Sequence, residues 1–504
     1  MKSKSIMVVG TTSHAGKSFL TTAICRVLAR AGWRVTPFKG QNMALNAYVT
    51  EAGGEIGYAQ AVQAWAAKAA PHVDMNPILL KPQGNMTSQV ILMGKAVGVT
   101  SASQYYEQYF DRGWQAITAS LDRLSQEFDY IVCEGAGSPA EINLKHRDLT
   151  NMRVAKYLNA PTLLVVDIDR GGAFAHVVGT LALLDPEERA LVKGIVINKF
   201  RGQRSLLDSG IEWLENYTGI PVIGVIPWSE ALFPAEDSLS LLEQRRTKGD
   251  RQLTLKILRL PHIANFTDFD PLEAEPSLAV EYLDLRSELG HPDAVIIPGS
   301  KTTLTDLVAL HETGMAEQIK AYLQNNGVIM GICGGFQMLG QSVRDPDRLE
   351  GTLESYPGLG LLNLETTLTP DKILRQRQVK SVFPQADLAI AGYEIHQGVT
   401  RELNWAIDNW AIAEQPSPYL PLFDDASLGV INPSQTIWGS YLHGIFDNGA
   451  WRRDWINRLR HRRGLPNLPT KISNYSDQRE AVIDELANLV TDYVDLSPLI
   501  EPLQ

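Results

Sequence analysis

The chain has 504 residues, 44% of them hydrophobic and 20% charged, with a formal net charge of −11. That length exceeds one ordinary core and calls for two or three domains, and the acidic balance argues against nucleic acid or an anionic membrane as the main partner. Three widely spaced cysteines, Cys25, Cys133 and Cys333, exclude a disulfide framework and a cysteine zinc site and fit a reducing cytoplasm. No stretch approaches the ~20 apolar residues of a membrane span, so no membrane association is expected.

In chain order, the apolar runs Ile6–Val9, Tyr130–Cys133, Thr162–Val166, Gly194–Ile197 and Val222–Ile226 read as buried strands. Helical segments such as Phe19–Ala31 and Ala59–Ala70 lie between them. This alternation predicts an α/β domain with a parallel, doubly wound sheet over residues 1–230. A polar tract at 231–250 reads as a linker. A second α/β domain is expected over 251–450, with strands at Leu253–Leu260, Ala294–Ile297, Gly327–Met330 and Thr436–Ser440. The remainder, 451–504, reads as a helical extension packed on the second domain. Its basic cluster Arg460–Arg463 reads as a solvated helix end, and Asp477–Val494 as a final helix.

The loop Gly10-Thr11-Thr12-Ser13-His14-Ala15-Gly16-Lys17-Ser18 follows a strand and opens a helix, the context of a phosphate-binding loop. Glycine lets the backbone N–H groups face phosphate oxygens, and the helix N-terminus adds its dipole. Lys17 would reach the β- and γ-phosphates of a nucleotide, and Ser18 would ligate magnesium. Five residues separate the two glycines, one more than the common pattern.

That longer loop resembles the dethiobiotin-synthetase branch of P-loop enzymes, which use ATP to phosphorylate carboxylate-type groups. The resemblance implies that Lys39 steadies the transferred phosphoryl group, that Glu134 and Glu55 hold magnesium beside Ser18, and that Asn198 reads adenine. A bare strand-end cap is the competing reading of Asn198.

Later, Val328-Ile329-Met330-Gly331-Ile332-Cys333-Gly334-Gly335 has the pattern of a nucleophile elbow: strand, tight turn, helix, with one side chain lifted clear. The helix N-terminus would favour the thiolate. The N–H of Gly334 and one from Gly299, in Pro298-Gly299-Ser300-Lys301, are candidate oxyanion donors. His443, just after a late strand, completes a Cys–His pair able to cleave a carboxamide. Together these features resemble the triad-type (class I) glutamine amidotransferases over about residues 251–450. The chain departs from them at Ile445, where that family has a glutamate two residues after the histidine, so His443 must be oriented by another group.

An ATP-dependent carboxylate-activating domain joined to a glutaminase makes a complete amide synthetase. The segments Phe38–Asn46, Glu134–Leu144, Asp167–Gly172 and Gly392–His396, in that order, resemble the cobyric acid synthase family. The resemblance implies ATP, Mg2+, glutamine and adenosylcobyrinic acid a,c-diamide as small-molecule ligands, no prosthetic group, and amidation of the b, d, e and g carboxylates. Gln41, Asn42 and Asn46 suit a substrate rich in carboxylates and amides, since each can donate and accept. Arg170 would add local positive field. Glu394 and His396 are expected at the interface between the two activities. A related ligase for another polycarboxylate, or a P-loop ATPase with a degenerate binding module, are the alternatives.

Overall fold

A computed structural model describes residues 3–84, 86–228, 251–403 and 417–500. The expected linker at 231–250 lies outside the described residues.

The apolar runs of the first half form a six-stranded, wholly parallel sheet. Its order is Val222–Pro227, Val192–Phe200, Thr162–Asp167, Lys4–Gly10, Tyr130–Glu134, Val35–Phe38. Ile6, Val8, Ile131, Leu163 and Leu164 are fully buried, as they must be with helices on both faces. Lys4–Gly10 is central, with strands from later in the chain on either side. The loop after Gly10 therefore opens at the C-terminal edge where the winding reverses, the place such sheets bind ligands.

The second half holds a seven-stranded sheet: Leu278–Asp284, Leu253–Arg259, Ala294–Ile297, Ile329–Ile332, Ile437–Ser440, Gly429–Ile431, Leu420–Pro421. The first five run parallel, and the last two join through antiparallel pairings. Ile329–Ile332 is central and ends where Cys333 begins.

Two additions dock the halves together. The short pair Ala47–Val49 and Glu55–Gly57 projects from the first half. A long antiparallel hairpin, Leu364–Lys380 with Ala389–Glu402, extends from the second. Where they meet, Ala47 N–H donates to Asn265 Oδ1 (3.0 Å), and the Tyr393 hydroxyl donates to Ala47 O (3.2 Å). Gln376 donates its amide to Val49 O.

The C-terminal extension divides between the halves, contrary to its expected place on the second. Trp451, Trp455 and Leu459 of helix Gly449–Arg462 join the second core. Arg460 is buried there, donating to Pro466 O and Gln252 Oε1, while His461, Arg462 and Arg463 are exposed, so the solvated helix end begins one residue later than expected. Helix Tyr475–Tyr493 instead lays Ile483, Leu486 and Val490 into the first core with Ile24 and Leu28 of helix Lys17–Arg30. Charge fixes the partner: Arg26 pairs with Glu480 at 2.7 Å, and Arg30 with Asp484 at 2.8 Å. Beyond the helix, Asp495 N–H donates to Ile223 O (2.7 Å) on the edge strand of the first sheet.

Leu486→Ala should cost about 2–5 kcal/mol. Hydrogen exchange is expected to quicken in peptides from Lys17–Arg30 and not in those from Ile329–Ile332, the reverse of what packing on the second half would give.

Candidate active sites

The phosphate-loop end of the first sheet gathers several of the expected residues. Gly16 has φ +105°, and a Cβ there would lie 2.0 Å from Asn198 Nδ2, so no other residue fits the turn. Lys17 folds back over the loop, its Nζ donating to the carbonyls of Thr12 and Gly137 at 3.1 Å each. Glu134, ending the neighbouring strand, is 1% exposed and collects three donors. Its Oε1 accepts from the Ser18 hydroxyl (2.8 Å) and from Lys39 Nζ (2.9 Å), while Oε2 accepts from Gln63. A hydroxyl and a carboxylate thus meet beside two lysines at the mouth of a glycine-built loop.

The second site is built on the elbow. Cys333 has φ 53° and ψ −113°, a conformation held against its own preference at the strand-to-helix bend. The bend exists because Gly335 has no side chain: a Cβ there would sit 2.0 Å from Ile297 O. The thiol donates to Ile395 O at 3.4 Å. His443 is fully shielded, with Nδ1 2.6 Å from Asp268 Oδ2, and Asp268 Oδ1 accepts Gly444 N–H at 2.9 Å. Burial alone would lower the basicity of His443. The Asp268 carboxylate and the adjacent Cys333 sulfur outweigh it and push the pKa up to about 10. Asn265 Nδ2 lies 3.4 Å from Nδ1, and the Tyr393 ring stacks on the imidazole with centroids 5.3 Å apart. Cys333, His443, Gly299 and Gly334 line one pocket. A Cβ on Gly299 would lie 3.8 Å from the Cβ of Cys333, so both expected oxyanion donors adjoin the nucleophile.

Sequence reasoning missed Asp268, which supplies the carboxylate absent at Ile445. It lies on the short helix Phe266–Phe269, entered through Asn265 in the left-handed region (φ 52°). The segment Asn265-Phe266-Thr267-Asp268-Phe269-Asp270 carries two aspartates, and nothing in its pattern singles out Asp268.

Several expected residues fall elsewhere. Glu55 is not placed with Ser18 and Glu134. It is wholly buried between two lysines, 2.8 Å from Lys81 and 2.5 Å from Lys372, which neutralise it away from Ser18, so it does not take the expected place among the magnesium ligands. Asn198 braces the loop: Nδ2 donates to Ala15 O (2.9 Å) and Oδ1 accepts Lys199 N–H (2.9 Å). Asn42 is likewise engaged, donating to Gln60 Oε1 (2.9 Å) and accepting Met43 N–H (2.9 Å). Gln41 accepts from the Tyr105 hydroxyl at 2.6 Å, and Asn46 is buried next to the docking strand. Arg170 is largely exposed, 3.9 Å from Asp167. Gly10 ends the central strand as expected. His396 stacks on Tyr441 at 3.7 Å and approaches Glu394 at 3.3 Å while lining the Cys333 pocket.

If Asp268 orients His443, Asp268→Asn should slow ammonia release from glutamine by about 10²–10⁴-fold. NMR titration should show the His443 pKa moving down from about 10, because the carboxylate that held the proton is gone.

Residues 6–241 match the family model described as a CobQ/CobB/MinD/ParA nucleotide binding domain, and residues 254–451 match that of a CobB/CobQ-like glutamine amidotransferase domain. Among curated relatives, the cobyric acid synthase of Crocosphaera subtropica is 70% identical over 497 residues, 99% of each chain. That of Rippkaea orientalis is also 70% identical, covering 98% of this chain and 99% of its own. That of Nostoc sp. is 64% identical over 500 residues, 99% of this chain and 100% of its own. With both domains matched in order and the identity sustained end to end, the chain belongs to the cobyric acid synthase family.

Proposed function

We propose that the chain is a glutamine-hydrolysing carbon–nitrogen ligase that amidates the b, d, e and g carboxylates of adenosylcobyrinic acid a,c-diamide. One observation carries the coupling of the two chemistries. The segment Ala47–Gly57 leaves the phosphate-loop half and contacts Asn265 and Tyr393, the two residues that flank His443. The site that makes ammonia therefore adjoins the half that would consume it.

A carboxylate resists attack by ammonia because its leaving group would be oxide. ATP converts it to an acyl phosphate, releasing ADP, and ammonia then displaces phosphate to leave the amide. In this reading the backbone of Gly10–Gly16 cradles the phosphates and Lys17 swings from its carbonyl partners onto them. Lys39 steadies the phosphoryl group in transit. Ser18 and Glu134 are hard oxygen donors already 2.8 Å apart, which fits magnesium. The ion, when bound, neutralises the phosphate oxygens. Gln41 and Asn46 meet the polar rim of the acid.

At the elbow, the Cys333 thiolate attacks the carboxamide carbon of glutamine, and the N–H groups of Gly334 and Gly299 receive the oxyanion. His443 gives its proton to the departing ammonia, then takes one from the water that hydrolyses the thioester, releasing glutamate. Asp268 holds the imidazole through both transfers. Among the described residues no helix is long and apolar enough to cross a membrane. We place the reaction in the cytoplasm, where ATP is available and thiols such as the three free cysteines stay reduced.

The test is an end-point incubation with adenosylcobyrinic acid a,c-diamide, ATP, magnesium and glutamine, read by mass spectrometry. Stepwise replacement of hydroxyl by amino is expected, with Cys333→Ala active only on added ammonia. Glutamine and ATP hydrolysis without a mass change in the corrinoid would sink the substrate assignment and keep the two-site architecture.

A further inference from the structure

The Cys333 pocket contains two charged side chains that neither the chemistry above nor an ion pair accounts for. Lys301 follows the Gly299 turn and is 7% exposed. Its ammonium has no hydrogen bond and no ion pair among the described residues. Glu350 reaches the same pocket from the loop after Asp345, and its carboxylate accepts one bond, from Thr303 N–H at 2.5 Å. The two do not pair with each other, although each is the other's nearest source of opposite charge in the pocket.

Buried charges ordinarily find a counter-charge, because leaving one uncompensated costs several kcal/mol. The neighbouring lysines show the usual solution: Lys81 and Lys372 also line this pocket, and both are satisfied by Glu55. Lys301 and Glu350 are left facing the space beside the nucleophile. Burial accordingly pulls the Lys301 ammonium below the ordinary lysine range and pushes the Glu350 carboxyl above the ordinary carboxylate range, as it does for charges without a hydrogen-bonded counter-charge.

An anionic and a cationic group held apart in one small cavity complement a ligand whose own two charges sit one carbon apart. We infer that Glu350 receives the α-ammonium of the glutamine donor and Lys301 its α-carboxylate, so that this pair selects a free L-amino acid head and sets the carboxamide against Cys333. This rests on the reading of the pocket as a glutaminase. Glu350 and Lys301 are then specificity residues that touch the donor but take no part in bond making.

Crossed substrate and variant kinetics test the pairing. The donors are L-glutamine, its analogue lacking the α-amino group, and its analogue with the α-carboxylate replaced by a carboxamide. Glu350→Gln should raise the KM for L-glutamine about tenfold or more, with kcat nearly unchanged. It should also erase discrimination against the deamino analogue while preserving that against the α-carboxamide. Lys301→Gln should do the opposite. Ammonia-dependent amidation should persist in both, showing that they fold, and Glu350→Asp should recover part of the loss in KM. Unchanged KM in both variants, or equal loss towards all three donors, would overturn the assignment. A wild-type enzyme unable to hydrolyse glutamine, or a Cys333→Ala variant that still does, would instead overturn the glutaminase reading beneath it.

Discussion

Glu55 is a carboxylate with no solvent exposure, and it is held by one lysine from each half of the molecule. Burial favours the neutral acid, but Lys372 and Lys81 together outweigh it and hold the pKa down to about 2. Lys372 fares differently: burial and the repulsion of Lys81 pull its ammonium below the ordinary lysine range even beside the carboxylate. The arrangement therefore serves the acid more than the base. It works only while the two halves stay docked, because separating them would strip Glu55 of one counter-charge. The rest of the interface, with the backbone of Ala47 and Val49 read by Asn265, Tyr393 and Gln376, is built around that fixed point.

This docking places the two chemistries in mechanical contact. Ala47 is bonded on its N–H side to Asn265 and on its carbonyl side to Tyr393, and both residues touch His443. One strand later, Glu55–Gly57 leads into helix Tyr58–Ala66, whose Gln63 donates to Glu134 at the phosphate loop. No more than a short hairpin and one helix lie between the carboxylate beside Ser18 and the imidazole beside Cys333. A displacement of that hairpin alters the support of the histidine without any long chain of contacts, since all of its bonds to the second half fall within nine residues of Ala47.

The parallel sheets were legible because their strands are short apolar runs covered on both faces, as Thr162–Asp167 and Ala294–Ile297 are. Period and apolarity are then unambiguous. The four-stranded sheet from Gln41–Met43 and Ile78–Ser101 and the hairpin Leu364–Glu402 were not, because their strands mix polar with apolar residues and are partly exposed. The same limit governed side-chain roles. Glycine, lysine and serine in the phosphate loop carry their role in their spacing. Asn198 does not: its place at a strand end fitted a base contact or a strand-end cap, and nothing in the pattern foretold that its amide would brace the phosphate loop. The terminal helix shows it at larger scale, since its amphipathic face says that it packs but only the charges of Arg26 and Arg30 say where.

The missing glutamate at Ile445 shows why a defect in a motif is not a defect in a site. What His443 needs is a carboxylate on Nδ1, in a place dry enough for the interaction to be strong, and the chain can supply it from any element that reaches there. Here it comes from Asp268, 175 residues earlier, on a short helix that follows a left-handed asparagine. The second oxygen of Asp268 accepts the N–H of Gly444, so the carboxylate also anchors the backbone just past the histidine. A glutamate two residues along could orient the ring, but it would not tie the histidine's strand to the segment bearing Asn265 and hence to Ala47. By taking the carboxylate from that segment, the fold makes the orientation of its base depend on the same stretch of chain that receives the other domain.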